Sequence, residues 1–229
     1  MAIPKRKFIP NQVFLGLPWK TVKPKYVRII PALEKKYPLH FSIVGRDDGQ
    51  DAEALFEIIK GRIRSSSYAL FDATGGNANV SLEYGYAEGI DVPRAIYLNA
   101  RKALQKSYAG TPIISDLTGM RRVHYKTEKQ LETEISKMCR NHDYTKRFEK
   151  ALSRILKNKS KGSKKSGRAL ALKLVKSLGG KEKIRRAELV QHLQAQNYTE
   201  NEIGAMLKGL HSSGVLKCDV GRYPDVHIA

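Results

Sequence analysis

Apolar segments alternate with amphipathic segments along the N-terminal two thirds of the chain. Short, almost continuously apolar runs predict five strands, at residues 12–17, 39–44, 68–71, 94–98 and 122–125. Apolar residues at helical spacing predict helices at residues 26–36, 51–64 and 79–89. A long helix is expected after the last strand, and Thr127 and Gln130 stand at capping-box positions at its start. This alternation indicates a parallel sheet with helices on both faces.

A different pattern follows residue 168. Helical spacing predicts three helices, at residues 169–178, 186–194 and 199–212. Thr199 and Glu202 stand at capping-box positions of the third helix. Two strands come next, at residues 214–220 and 225–228, with a turn between them. Three helices closed by a hairpin are typical of a winged helix, in which the third helix is the recognition helix.

A basic run separates the two patterns. Residues 154–168 contain seven Lys or Arg and no acid, and their Gly, Ser and Lys content cannot form a core. We therefore expect an α/β domain at residues 1–152, a flexible basic linker at 153–168 and a smaller winged-helix domain at 169–229.

The composition excludes several classes of protein. The chain has 229 residues, 41% hydrophobic and 28% charged, which is close to soluble globular proteins and far from disordered chains. No apolar run approaches the roughly eighteen residues of a membrane span, and residues 1–8 lead into no secretory hydrophobic stretch. Cys139 and Cys218 match no metal-ligand spacing. We expect a cytoplasmic protein with reduced thiols, no metal and no membrane partner.

The positive charge is unusual. Lys and Arg total 42 against 22 acids, a formal net charge of +20. Residues 151–229 alone hold sixteen bases and six acids. Such an excess favours a polyanionic partner, usually nucleic acid. The alternative is a generally basic, solubilised surface.

The most informative stretch is the corner after the third strand, from Asp72 to Glu83. Asp72 falls at the carboxyl end of a buried strand, where α/β sheets place their ligand groups. Glu83 lies beside the inward stripe of the next helix, formed by Val80, Tyr84 and Ala87, where an unused carboxylate is costly. Two carboxylates facing one cleft would suit cleavage of a glycosidic bond. The alternatives are that Glu83 merely favours the helix macrodipole and that Asp72 bonds its own backbone.

Residues 72–87 resemble the signature Asp-x-Thr-Gly-x-Asn-x-Asn-Val-x-x-Glu-x-Gly-x-Ala of nucleoside 2-deoxyribosyltransferase-like and TIR-like nucleotide-processing domains. The first strand, with Gly16 and Trp19, is similar to the first ligand loop of that family, and residues 115–125 to the segment before its last strand. Ala78 departs from the pattern, because the family more often has proline there. The resemblance covers residues 8–135 and implies a flavodoxin-like sheet in the order 2-1-3-4-5.

The resemblance also implies roles for individual residues. Glu83 matches the catalytic glutamate that engages C1′ of a nucleoside or nucleotide, and Asp72 the aspartate that binds the sugar or assists the leaving base. The remaining candidates for substrate binding are Gly16, Trp19, Arg46, Gly75, Asn77, Asn79 and Tyr86. Plainer interpretations stay open: packing for Trp19, a solvated charge for Arg46 and core packing for Tyr86. This chemistry needs no cofactor, with NAD or another nucleotide as substrate.

Basic residues of the C-terminal part are candidates for contact with nucleic-acid phosphates. They are Lys164, Lys165, Arg168, Lys181, Lys183, Arg185, Arg186, Lys208, Lys217 and Arg222. The predicted recognition helix carries Glu200 and Glu202 and few base-reading side chains. Binding dominated by shape or backbone and docking onto a protein partner therefore both stay open.

Together these features predict an N-glycosidase that cleaves the base–ribose bond of NAD or a (deoxy)nucleotide. With this resemblance and a basic tail, the chain looks like toxin effectors of bacterial antiphage systems, including retron effectors. The tail would hold the enzyme on nucleic acid or on a protein of a defence complex. A non-enzymatic, nucleotide-sensing DNA-binding regulator is the alternative, and a structural subunit with a degenerate pocket is a third hypothesis. The oligomeric state, a homo-oligomer included, stays open.

Overall fold

A computed structural model gives the fold, and the description covers residues 6–44, 52–100, 122–179, 181, 183–221 and 224–229. The strands are β1 (Ile9–Gly16), β2 (His40–Ser42), β3 (Ser66–Asp72), β4 (Arg94–Asn99), β5 (Arg122–Tyr125), β6 (Ile184–Arg185), β7 (Leu216–Cys218) and β8 (Asp225–Ile228). The helices are α1 (Lys23–Lys36), α2 (Ala52–Ser65), α3 (Ala78–Gly89), α4 (Glu128–Asn141), α5 (Asp143–Ile155), α6 (Lys161–Ser177), α7 (Arg186–Gln194) and α8 (Glu200–Ser212). None of these helices is both long and apolar enough to cross a lipid bilayer.

Five strands form a parallel sheet in the order β2-β1-β3-β4-β5. Asp72 at the end of β3 stands opposite Tyr97 of β4, and β4 pairs in turn with β5. This order confirms the α/β, flavodoxin-like prediction. Because neighbouring parallel strands end at the same edge, β1 ends at Gly16 beside the end of β3. The strand order reverses at this pair, which is where such sheets bind ligands.

The chain divides into two compact units. The first holds the described residues of 1–8, 12–33 and 41–138, and the second those of 9–11, 34–40 and 139–229. The second unit therefore includes the last residues of α1. This division falls earlier than the boundary expected at residue 152, because α5 runs through that position as one helix.

Aromatic rings form part of the core of the first unit. The ring centroid of Phe71 on β3 lies 5.9 Å from that of Phe14 on β1 and 5.5 Å from that of Tyr84 on α3. The contact with Tyr84 is edge-on, at an interplanar angle of 75°. Each such pair adds roughly 0.5–1.5 kcal/mol beyond the burial of its area. These contacts hold the inner face of α3 against β1 and β3.

Helices α5, α6, α7 and α8 and a small antiparallel sheet are the main elements of the second unit. The strand order of this sheet is β6-β8-β7. Thr199 and Glu202 make the predicted capping box, in which Thr199 N donates to Glu202 Oε2 at 2.9 Å and Glu202 N donates to Thr199 Oγ1 at 3.3 Å. Strand β6 has two residues and was too short to show a hydrophobic period in the sequence.

The segment expected to be a flexible linker is largely helical. Helix α5 continues to Ile155 and α6 begins at Lys161, after Ser160. The side chain of Ser160 caps α6 by accepting a hydrogen bond from Ser163 N at 3.3 Å. Further along α6, Leu170 and Leu174 are buried. The structure differs from the expectation because the composition of the expected linker does not include these leucines. Their burial further along α6 anchors the polar first turns of the helix.

Candidate active site

The turn between β3 and α3 is fixed by its backbone. Ala73 N donates to Tyr97 O at 2.9 Å, and Gly76 N donates to Ala73 O at 3.1 Å. Gly75 and Gly76 have φ angles of 88° and 61°, in the left-handed region that favours glycine. Gly75, a predicted substrate-binding residue, therefore has a defined conformational role in this turn.

Asn77 is the N-cap of α3. Its Oδ1 accepts hydrogen bonds from Asn79 N at 3.0 Å and from Val80 N at 3.3 Å. This arrangement satisfies two backbone donors that the first turn would otherwise leave unpaired. The cap occupies the side-chain oxygen of Asn77, while the side chain of Asn79 is exposed on the first turn. The start and direction of α3 are thus set by the motif itself.

Glu83 is buried on the inward face of α3. Val80, Tyr84 and Ala87 form the buried stripe that the sequence predicts, and Glu83 beside them is 9% exposed. Its Oε2 atom has no hydrogen-bond partner among the described residues. Removal from water disfavours the charged form and raises the pKa of Glu83 to about 7. Buried, unpaired carboxyl groups of this kind are typical of functional sites.

A small cavity lies against the Glu83 carboxyl. Its remaining described lining residues are Phe14, Leu15, Leu17, Trp19, Lys23, Ile43, Val44 and Ile59. Its volume is about 20 Å³, enough for a water molecule, whereas small-molecule pockets measure roughly 300–1,000 Å³. A nucleotide therefore reaches Glu83 only if side chains around the cavity move. Trp19, which is 36% exposed, is the lining residue best placed to do so.

Gly16 leaves room for this arrangement. A Cβ atom at this position would lie 2.4 Å from Cδ1 of Phe71, well inside van der Waals contact. The end of β1 can therefore pass Phe71 and α3 only because it carries no side chain there. Gly16 was predicted as a substrate-binding residue, and the structure places it directly beside the predicted catalytic residue.

Lys23 is a cavity residue that the sequence analysis missed. Its Nζ lies 3.8 Å from the centroid of the Trp19 ring, and both side chains line the cavity with Glu83. The two residues are four positions apart, and Lys23 begins α1. A cation over an aromatic ring is a favourable contact and holds a positive charge at the site. The sequence carries one signal for it, since Lys23 follows the predicted ligand loop directly.

Asp72 is tied to two tyrosines and does not line the cavity. Its Oδ2 accepts hydrogen bonds from Tyr26 at 3.0 Å and from Tyr125 at 2.7 Å, and its Oδ1 accepts one from Thr74 N at 3.0 Å. Asp72 is 0% exposed, and burial raises its pKa although these hydrogen bonds oppose the shift. The expectation that Asp72 and Glu83 face one cleft is not met, because Asp72 is held by the hydroxyl groups of α1 and β5.

The remaining predicted substrate residues lie elsewhere. Tyr86 packs against the apolar core of the first unit, and its hydroxyl accepts a hydrogen bond from Arg64 at 2.8 Å. It does not line the described cavity. Arg46 lies outside the described residues. Within the described part of the chain, no group of three or more His, Cys, Asp or Glu is arranged to hold a metal ion.

Several predicted nucleic-acid-binding residues are already paired. Lys181 forms an ion pair with Glu188 at 3.9 Å and Lys183 with Asp225 at 2.7 Å. Arg168 forms an ion pair with Glu149 at 2.6 Å. The members that are exposed and form no ion pair with a described residue are Lys164, Lys165, Arg185, Arg186, Lys208 and Lys217. Arg222 lies outside the described residues.

Comparison with known proteins gives a distant structural similarity and no match in sequence. No protein-family model matches the chain, and no curated protein is similar to it in sequence. Among solved structures, the chain is similar to the CMP N-glycosidase BcmB of Clostridium botulinum, with 12% sequence identity and a TM-score of 0.40. The match covers 56% of this chain and 98% of that one. This distant similarity to a nucleotide N-glycosidase assigns no role to any residue.

Proposed function

We propose that the protein cleaves the N-glycosidic bond of a nucleotide and that Glu83 is the catalytic residue. The observation that carries this proposal is the Glu83 carboxyl itself, which is buried, lacks a partner at Oε2 and faces a cavity with Trp19 and Lys23. An unpaired carboxylate in apolar surroundings is costly to maintain unless it has a use. The sequence motif that contains Glu83 supports the same role.

The reaction follows from the chemistry of a carboxylate beside C1′. The Glu83 carboxylate attacks or electrostatically stabilises C1′ while the bond from C1′ to the base nitrogen breaks, and the bonding electron pair leaves with the base. Water then adds to C1′, and loss of its proton leaves the sugar with a hydroxyl group and restores the carboxylate. Trp19 offers a ring face to the base, and Lys23 offers a positive charge to a phosphate.

The hydrogen bonds of Asp72 decide which group could give a proton to the leaving base. Its two oxygens already accept three hydrogen bonds, so we assign Asp72 the role of positioning residue at the β3–α3 turn. Glu83 is then the one acidic side chain among the described residues that line the cavity. A base that carries a positive charge at the glycosidic nitrogen leaves neutral, with no proton required. This favours NAD over nucleotides whose base must be protonated.

The test is product identification with purified full-length protein. NAD, CMP, the other ribonucleotides and their deoxy forms are each incubated with the protein, and chromatography measures free base and base-free sugar phosphate. We expect release of base from at least one nucleotide, with NAD the leading substrate, and none from Glu83→Gln. The exposed Glu132→Gln on α4 is the matched control and keeps full activity. Nucleotide binding by wild type without any base release would instead support the regulator hypothesis.

The biological setting is a further part of the proposal and rests on the sequence resemblance. An enzyme that destroys nucleotides harms its host, which agrees with a toxin effector of an antiphage system. Expression of the wild-type chain in bacteria should then arrest growth and deplete the cleaved nucleotide, while Glu83→Gln should not. Growth arrest by both proteins would separate toxicity from Glu83 and contradict this part of the proposal.

A further inference from the structure

A basic groove runs along α6 in the second unit. It encloses about 510 Å³ and is lined by α6 and by the last residues of α1. Ala169 and Leu172 supply its apolar lining. The other lining residues are all cationic: Lys35, Lys36, Lys165, Arg168, Lys173 and Lys176. No acid lines the groove in the described part of the chain.

The cations of α6 form a row. Lys165, Arg168, Leu172 and Lys176 are three or four residues apart, so they share one face of the helix. The helix rises about 16 Å between Lys165 and Lys176. One strand of B-form DNA presents a phosphate about every 3.4 Å along its axis, so this row spans roughly five phosphates.

Most of this charge is uncompensated. No carboxylate in the described part of the chain lies within ion-pair distance of Lys35, Lys36, Lys165, Lys173 or Lys176. Lys173 instead lies 4.8 Å from the centroid of the Tyr198 ring. Burial lowers the pKa of Lys176, the positive charge of Lys35 lowers it further, and Glu34 opposes the shift. The groove therefore brings like charges together, and of its cations only Arg168 forms an ion pair within the described part of the chain.

Arg168 has a different role from the lysines. Its two terminal nitrogens donate to the Glu149 carboxylate at 2.6 and 2.7 Å, and Nη2 also donates to Lys36 O at 3.3 Å. Arg168 was predicted as a phosphate contact, but its hydrogen-bonding groups are engaged in joining α6 to α5 and to the end of α1. It thus links the two walls of the groove.

The predicted recognition surface has less free charge. Lys181 and Lys183 are ion-paired, and α8 begins with Glu200 and Glu202. A polyanion would meet acidic side chains at the start of α8 and unpaired lysines along α6. The distribution of charge therefore favours the groove over the third helix.

We propose that this groove binds the sugar–phosphate backbone of a nucleic-acid strand without reading its sequence. Lysines act as point cations that attract phosphates without geometric specificity, and they suit a regularly spaced phosphodiester chain whose bases are not read. Leu172 and Ala169 give the sugar or a base an apolar contact between the cations. This function is independent of the glycosidase chemistry proposed above.

The test is a binding titration with the full-length protein and a fluorescein-labelled 20-nucleotide DNA strand of mixed sequence. The groove variant is Lys35→Ala/Lys165→Ala/Lys176→Ala. The control Lys126→Ala/Lys129→Ala/Lys150→Ala removes the same charge from exposed positions elsewhere. A second comparison, Lys208→Ala/Lys217→Ala, tests the third helix and the hairpin. Circular dichroism and Tm confirm that each variant folds.

The groove variant should bind at least about tenfold more weakly at moderate salt, and the two comparison variants should stay near wild type. Each phosphate contact contributes about −0.7 to the salt slope of single-strand binding, so loss of three contacts should flatten the slope by about 2. Three results would overturn the proposal: no binding by wild type, an equal loss in a comparison variant, or competition by polyglutamate as strong as by unlabelled DNA, which would indicate an acidic protein partner.

Discussion

Gly16 and Glu83 lie so close together that a Cβ atom on Gly16 would stand 2.6 Å from Glu83 Oε2. The end of β1 and the inner face of α3 are thus fitted to each other at the carboxylate. On this side, the Glu83 carboxyl faces the backbone of Gly16 instead of a side chain. This close approach keeps the carboxyl both buried and in place. The lack of a side chain at Gly16 therefore controls the position of Glu83, the residue proposed to be catalytic.

Gly16→Ala should impair activity more than it impairs folding. Its methyl group would displace Glu83 and the Phe71 ring, and overpacking of this kind costs typically 1–3 kcal/mol of stability. We expect a lower Tm and a fall in base release of at least about tenfold per folded molecule, because small displacements of a catalytic group are costly. Gly85→Ala on the open face of α3, where a Cβ atom meets nothing within 4 Å, is the control. Normal turnover by folded Gly16→Ala would show that this close approach is unimportant.

The pH dependence of the reaction follows from Glu83. Only the carboxylate can attack or stabilise C1′, and burial raises the pKa of this group to about 7. The value of kcat/KM should therefore fall about tenfold per pH unit below pH 7 and level off above it. A rate profile with an acid limb near pH 4.5 would show that Glu83 is ordinarily solvated during the reaction.

Glu83 should also make the protein less stable as pH rises. In the unfolded chain its pKa returns to the ordinary value of 4.5, so between that value and about 7 only the folded state holds the proton. Stability then falls with rising pH across this window and stays low above it. At pH 8, Glu83→Gln should therefore unfold at a higher temperature than wild type, with a free energy of unfolding that is larger by about 3 kcal/mol at most. At pH 4.5 the two proteins should differ little. Equal Tm values at pH 8 would contradict this burial.

Tyr125 tests whether Asp72 has a positioning role. Tyr125→Phe removes the 2.7 Å hydrogen bond to Asp72 Oδ2 and leaves those from Tyr26 and Thr74. The expected cost is about 1–3 kcal/mol, measured by denaturant unfolding, with most of the activity kept. Tyr198→Phe is a matched control in the second unit. Loss of activity comparable to that of Glu83→Gln, without loss of stability, would assign this cluster to catalysis.

Trp19 reports directly on the site because it is the chain's one tryptophan. When a nucleotide binds to the inactive variant Glu83→Gln, the fluorescence of Trp19 should change, because the cavity of about 20 Å³ has to open. Lys23→Ala should weaken binding of a nucleotide by roughly tenfold, a loss of about 1.4 kcal/mol, and should leave binding of the parent nucleoside unchanged. Lys20→Ala, an exposed neighbour, is the control. Equal effects on nucleotide and nucleoside would rule out a phosphate contact.

The sequence predicted which elements and buried faces form this site better than it predicted the contacts of individual side chains. The helical period placed Val80, Tyr84 and Ala87 on the buried face with Glu83 beside them, because that information is local. The apolar run at residues 68–71 likewise placed Asp72 at the end of β3. The direction of the Asp72 side chain, however, depends on Tyr26 and Tyr125, which are remote in the sequence and meet it only in the folded chain.

The basic segment before α6 shows the same limit. Residues 154–168 have the composition of a linker, yet a cap at Ser160 and buried leucines further along make most of the segment helical. Net charge per segment also failed to distinguish paired from unpaired lysines. Lys183 forms an ion pair with Asp225, whereas Lys35 and Lys36, outside the basic tail in sequence, line the groove with α6.

The central claim is that the Glu83 carboxylate drives cleavage of the base–sugar bond, and the rate of base release under single-turnover conditions tests it most directly. Wild type and Glu83→Gln are compared at pH 8 on the nucleotide that wild type cleaves best, after binding of each has been measured. We predict that Glu83→Gln binds the nucleotide but releases base at least about a thousandfold more slowly. A rate within tenfold of wild type in the folded variant would contradict the claim.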